Sequence, residues 1–192
     1  MDSITKDEIA LVIKEMDKLT TSNIEIYFVG SIAAIIGYDT SKQTNDADTY
    51  NSITTMAAAL WNQACEITGI DLKISQTSVF TPPDLFEERC ELSDISTSKV
   101  EAYYMEKHDF SISKIARGLD KDFNDIQALH EKSPLDLNIL IDRFFEEFLY
   151  TVAIGRKENH IISLKAAIER IWGEEELKQV MAAIDSRFSA KK

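Results

Sequence analysis

The chain has 192 residues, 44% of them hydrophobic, with 21 Lys plus Arg against 33 Asp plus Glu for a formal net charge of −12. That length and apolar content suit one domain or two small ones with a packed core, and the acidic balance disfavours a broad grip on nucleic-acid backbone or an anionic membrane. No apolar run approaches the roughly 18 to 20 residues of a membrane span, no basic and apolar leader opens the chain, and Cys65 and Cys90 lack partners at metal-ligand spacing, so a soluble cytoplasmic protein with free thiols is expected.

In chain order, residues 5–19 set Ile9, Val12, Ile13, Met16 and Leu19 on one helical face, with Thr5 or Asp7 as cap. Residues 23–30 alternate and end in the apolar run Tyr27-Phe28-Val29, as a buried strand would. Ser31 to Gly37 reads as a short apolar helix, Asp39 to Asn45 as a loop, and residues 46–50 as a short strand. Residues 52–68 are helical and close at Gly69; residues 71–80 alternate as a strand until Pro82-Pro83. "FEERCELSDI" and "KVEAYYM" read as further strands.

From His108 onward the pattern turns helical. Ile112, Ile115, Ala116 and Leu119 share one face; Phe123, Ile126 and Leu129 share another, with Asp120 as N-cap after Gly118. Leu137, Ile141, Phe144 and Phe148 mark a longer helix, and two more follow, through Ile161–Ile171 and Val180–Phe188. Trp61 and Trp172 sit on amphipathic faces and read as core, and the Phe144-Phe145 and Phe148-Leu149-Tyr150 cluster reads as core or a subunit contact, which leaves a homodimer open. The predicted class is α+β: an N-terminal mixed β-sheet with flanking helices over residues 1–105, and a helical part packed on it over 106–192.

The chemistry concentrates in "GSIAAIIGYDTSKQTNDADTY", residues 30–50. Side chains at i and i+2 of a strand point to one side, so Asp46 and Asp48 would present two carboxylates in one direction, which repel unless a cation sits between them. Mg²⁺ takes one or two protein carboxylates and fills the remaining positions with water and substrate phosphates. Gly30-Ser31 adds a backbone open to close approach, N–H groups at a helix start and a hydroxyl donor.

The order of strand, Gly-Ser, short helix, polar loop, D-x-D, long helix and strand resembles the nucleotidyltransferase superfamily with the DNA polymerase beta type of fold. Residues 109–126, "DFSISKIARGLDKDFNDI", are similar to a basic and acidic run of the minimal bacterial members, the abortive-infection type toxin nucleotidyltransferases and their relatives, with Lys114, Lys121, Asp122 and Asp125 matching and Arg117 in the same stretch. Glu88-Arg89, within "EER", looks like a further element of those relatives. The resemblance implies Mg²⁺ (or Mn²⁺) on Asp46 and Asp48, and a nucleoside triphosphate held by Gly30, Ser31, Lys42, Thr44 and Arg117. It implies that Lys114 meets the triphosphate and that Asp122 orients or activates nearby. A third metal-binding carboxylate is usual, and Asp71, opening "DLKIS", is its nearest candidate. An antitoxin protein is the implied partner, and the acceptor is RNA, protein or a small molecule, with no membrane involved.

Two departures stand out: Lys42 replaces the relatives' usual Arg, and Ala47 replaces a larger apolar anchor between the aspartates. The Ala47 substitution, with a missing third carboxylate, would favour a catalytically degenerate member that binds a nucleotide or a protein without turnover. A third reading, a small-molecule nucleotidyltransferase, would need an acidic acceptor pocket, with Glu146-Glu147 as a candidate donor. His108, His130 and His160 are too scattered for a hydrolytic triad.

Overall fold

The computed structural model describes residues 3–77 and 81–190. The chain is α+β, with a five-stranded mixed sheet, and divides into two compact units: Met1–Val79 with Arg89–Glu106, and Phe80–Glu88 with Lys107–Lys192.

The first unit holds helices α1 (Lys6–Leu19), α2 (Gly30–Tyr38) and α3 (Thr55–Thr68) and strands β1 (Ile24–Phe28), β2 (Asp46–Thr49), β3 (Lys73–Gln76), β4 (Glu91–Leu92) and β5 (Val100–Tyr104). The sheet order is β3-β2-β1-β5-β4. β1 and β5 are parallel, as are β2 and β3; β1–β2 and β4–β5 are antiparallel.

Helix α1 starts where a capping box allows it: the Thr5 hydroxyl accepts from the Glu8 N–H, and the Glu8 carboxylate accepts from the Thr5 N–H. Thr5, not Asp7, is the cap. Ile9, Val12, Ile13 and Met16 are fully buried, as the spacing predicts, and truncating any one to Ala would cost about 2–5 kcal/mol. At the far end of α1, Asp17 takes the N–H groups of Ser98, Lys99 and Val100 at 2.6–3.0 Å, which anchors the start of β5. These bonds outweigh the effect of burial and lower its pKa to about 2.

The sheet buries one set of alternating side chains. Ile26, Phe28, Ala47, Thr49, Val100 and Ala102 are buried, while Glu25, Asp46 and Glu101 on the opposite pleat are exposed. Trp61 of α3 is fully buried, tilted against Phe28, and donates its indole N–H to the Leu72 carbonyl at 2.7 Å.

The second unit is helical: α4 (Lys107–Arg117), α5 (Asp120–Lys132), α6 (Leu137–Arg143), α7 (Ile154–Trp172) and α8 (Glu174–Ala190). Gly118 joins α4 to α5 at φ +66, where a Cβ would come 2.6 Å from Ser163 Oγ of α7, so the turn needs glycine on two counts. Buried Asp109 pairs with Arg143 at 3.1 Å, and Asp84 N–H donates to the Glu147 carbonyl at 2.9 Å.

Several elements differ from the sequence expectation. "FEERCELSDI" forms a 3₁₀ turn at Phe86–Arg89 and the two-residue β4, because Phe86 is its one buried apolar side chain and the segment lacks an alternating apolar face. The long helix from Leu137 is α6 followed by a wider π-type turn at Phe144–Phe148, which brings both adjacent Phe144 and Phe145 inward, along with Phe148. Asp120 is the first residue of α5 and Leu119 its N-cap; the capping acceptor is the Asp122 carboxylate, which takes the Leu119 N–H at 3.1 Å. The strand expected over 71–80 is Lys73–Gln76, and its predicted end, residues 78–80, lies outside the described residues. Trp172 is half-buried, edge-on to His130. Among the described residues no helix is long and apolar enough to cross a membrane.

Candidate active site

Asp46 is exposed and Asp48 half-buried on the outward pleat of β2, while Ala47 and Thr49 between and after them are fully buried. The small side chain of Ala47 is enough to anchor this pleat. The two carboxylates therefore project together, as D-x-D on a strand requires. Thr44 holds the entrance to β2, its hydroxyl accepting from the Asp46 N–H at 3.2 Å. Lys42 is pinned through its backbone, the Ile4 N–H donating to its carbonyl at 3.1 Å.

Gly30 stands opposite. It opens α2 at φ +61, and a Cβ there would come 3.3 Å from Asp48 Oδ2. Both the left-handed backbone and the approach to a carboxylate select glycine. Val29, the N-cap, donates its N–H to the Asp48 carbonyl at 3.0 Å, which ties β2 to the first turn of α2. The first amides of a helix lack intrahelical partners and face developing anions favourably, and Ser31 lies in that turn.

Two outward carboxylates beside a close-approaching backbone fit the hard oxygen donor set that Mg²⁺ takes, with water and phosphate completing it. Among the described residues no group of three or more His, Cys, Asp or Glu side chains comes together to hold a metal. Asp71 is exposed just before β3, where its carboxylate accepts from Asn45 Nδ2 at 3.3 Å. The β3 residues in register with the pair are Lys73, beside Asp46, and Ser75, beside Asp48.

The same outward pleat carries Glu25 and Tyr27 of β1 and Glu101 and Tyr103 of β5. The tyrosine rings stack at 4.6 Å with 7° between planes. Burial, then the neighbouring Glu25, raises the Tyr27 pKa; the hydrogen bond to Glu101 raises that of Tyr103. Both phenols stay protonated near neutral pH. Nothing in the spacing marks this pair, which arises from the β1–β5 register, 76 residues apart in sequence (103 − 27).

In the second unit, Lys114, Arg117, Asp122 and Asp125 come together across the α4–α5 turn. Asp122 is fully buried and accepts from Arg117 Nε at 2.8 Å, from Arg117 Nη2 and from the Leu119 N–H. Lys114 Nζ stands 2.6 Å from Asp125 and 3.8 Å from Asp122, above the Phe110 ring. Burial pushes the Asp122 pKa up, but the Arg117 hydrogen bonds, the Leu119 N–H and the charges of Arg117 and Lys114 outweigh it, so the carboxyl sits below its ordinary value. His108 and His130 each accept a backbone N–H, from Asp136 and Leu135, and serve the helix connection.

A mixed sheet whose first strand runs through Gly-Ser into a helix, and whose second carries two outward carboxylates, is the frame of a nucleotidyltransferase fold. The chain belongs to the family described as "Nucleotidyltransferase of unknown function (DUF6036)", whose family model matches residues 7–171. Comparison with curated proteins and with solved structures returned no match.

Proposed function

We propose that this protein is a Mg²⁺-dependent nucleotidyltransferase that moves a nucleoside monophosphate from a nucleoside triphosphate to an acceptor hydroxyl. The observation that carries the reading is the carboxylate pair Asp46 and Asp48 facing outward on β2, with Gly30 at its left-handed φ against Asp48. Asp46 and Asp48 would hold the ion; bound there, Mg²⁺ (or Mn²⁺) supplies charge neutralisation at the phosphate oxygens and lowers the pKa of an attacking hydroxyl.

The chain's own residues take the remaining roles in this reading. The first-turn N–H groups of α2 and the Ser31 hydroxyl donate to the triphosphate, with Lys42 and Thr44 flanking it. A point charge from Lys114 on the phosphates rests on the resemblance alone; within its own unit Asp122 orients Arg117 and Lys114, a role its buried, hydrogen-bonded and ionised carboxylate suits better than that of a base. The acceptor oxygen bonds to the α-phosphorus, the bond to the bridging oxygen breaks and pyrophosphate departs, the hydroxyl proton passing to solvent. A role as the toxin of a toxin–antitoxin pair rests on the resemblance alone; growth arrest on expression, relieved by a neighbouring protein, tests it.

The deciding experiment incubates the pure protein with each α-³²P-labelled triphosphate, Mg²⁺ and a cell extract, beside the Asp46→Ala/Asp48→Ala double variant. Label on an RNA, protein or small-molecule band, present only with intact carboxylates, establishes the transferase and its acceptor class. Equal labelling by both chains removes the proposed site. A second reading, a nucleotide-binding module without turnover, is favoured by Lys73 and Ser75 standing where a third carboxylate would reinforce the pair. It predicts Mg²⁺-dependent triphosphate binding with no pyrophosphate release.

A further inference from the structure

We propose that Asn51 is a positioning residue for the carboxylate pair, its side chain extending the β1–β2 ladder past the end of β2 and setting where Asp46 and Asp48 stand against Gly30. The inference rests on the metal-binding reading of those two aspartates.

The backbone pairing of β1 with β2 is short. One register pair, Phe28 with Thr49, defines it, flanked by Val29 N–H to the Asp48 carbonyl at 3.0 Å and Tyr50 N–H to the Tyr27 carbonyl at 2.9 Å. The next ladder groups along β1 are the Tyr27 N–H and the Glu25 carbonyl, and no backbone group of β2 reaches them. The Asn51 amide does: Oδ1 accepts from the Tyr27 N–H at 3.1 Å and Nδ2 donates to the Glu25 carbonyl at 3.0 Å. The amide thus reproduces a peptide unit, and its orientation is settled by needing an acceptor for one strand group and a donor for the other.

Other side chains fix the same corner. Thr49 donates its hydroxyl to the Asn51 carbonyl at 3.2 Å, Gln76 Nε2 to the Tyr50 carbonyl at 3.1 Å, and Ser52 Oγ to Gln76 Oε1 at 3.0 Å. Gln76 and Ser52 bind this corner to β3, while Asn51 alone of these side chains binds it to β1. That matters because a one-residue slip of β2 on β1 would turn both aspartates to the core face. The Val29–Asp48 bond lies immediately before Gly30, so any relaxation of the ladder is felt at the Asp48 carboxylate.

The test measures Mn²⁺ affinity by electron paramagnetic resonance, with the metal alone as probe, on the whole chain and three variants. Asn51→Ala is expected to bind Mn²⁺ about tenfold more weakly, the loss typical of residues that orient metal ligands without touching the metal. Thr54→Ala, which removes the α3 cap that accepts from the Ala57 N–H at 3.1 Å, is the control for mere destabilisation and should bind as wild type does. Asn51→Gln keeps donor and acceptor on a stem one methylene longer; should the alanine variant not fold, it becomes the test, with about a threefold loss expected. Unchanged affinity in the folded Asn51 variant overturns the proposal and leaves the metal site standing, and equal losses in Asn51→Ala and Thr54→Ala overturn it likewise. Absence of Mn²⁺ binding by wild type removes the metal site itself, and this role with it.

Discussion

Asp46 and Asp48 face outward on a four-residue strand beside a glycine, whereas Asp122 is wholly buried and accepts hydrogen bonds from Arg117 and Leu119 with Lys114 close by. Each cluster contains two aspartates, with Asp46 opening a strand and Asp122 in the first turn of a helix. Their difference is in who answers the charge. The α4–α5 cluster supplies its own cations and gains a defined helix turn from them; the β2 pair presents two like charges side by side, an arrangement that gains most from an external cation. One cluster is thus charge-balanced from within, and the other is not.

Breaking each side of that contrast should weigh differently on transfer and on stability. The largest effect expected is on transfer: Asp46→Ala or Asp48→Ala should lower it on the order of a thousandfold or more, with thermal stability unchanged or slightly raised as self-repulsion is relieved. Labelled-nucleotide transfer beside a melting curve reads both, and wild-type transfer by the two variants rules the pair out. Asp122→Asn should be felt first in the fold, costing about 3 kcal/mol because Arg117 and Lys114 lose a buried counter-charge. The melting temperature should then fall by roughly 6–12 °C.

Next in size is Gly30→Ala, which forces a side chain into φ +61 at a cost of about 1–2 kcal/mol. It also pushes the Asp48 carboxylate by a few tenths of an ångström, so Mn²⁺ affinity should fall severalfold while Gly69→Ala, where no atom lies within 4 Å of the added carbon, leaves it unchanged. The smallest effect is that of Asp17→Asn. Its pKa of about 2 lies below the ordinary 3.8, so the ionised form stabilises the fold above about pH 3.8 and that stability is lost as pH falls through about 2. Screening by solvent discounts the contribution to about 1 kcal/mol. Denaturant titrations at pH 6 and pH 2 should therefore differ less for the variant than for wild type.

The strands and helices that bury one clean face were legible in the sequence: α1 from Ile9, Val12, Ile13 and Met16, β1 from its apolar run, β2 from the D-x-D alternation. What was not legible depended on groups distant in sequence. β4 exists because Glu91 and Leu92 pair with β5, not through any pattern of its own. The Tyr27–Tyr103 stack and the Asn51 bonds to β1 arise from register, which no local spacing encodes. At α5 the capping acid lies three residues after the cap, so an N-cap search favours Asp120 over the true carboxylate, Asp122.

The alternation of the two units along the chain bears on how the protein is made. β5 is the parallel neighbour of β1, so the sheet gains an inner strand only once residue 104 has been synthesised, about 80 residues after β1. By then the short piece Phe80–Glu88, whose Asp84 N–H donates to the Glu147 carbonyl, has already been made and waits for its helical partners. The chain therefore completes its sheet only after making a segment that belongs with the helices. A truncation after residue 106 would retain that segment without the Glu147 carbonyl it pairs with, and helices expressed from residue 107 would lack it.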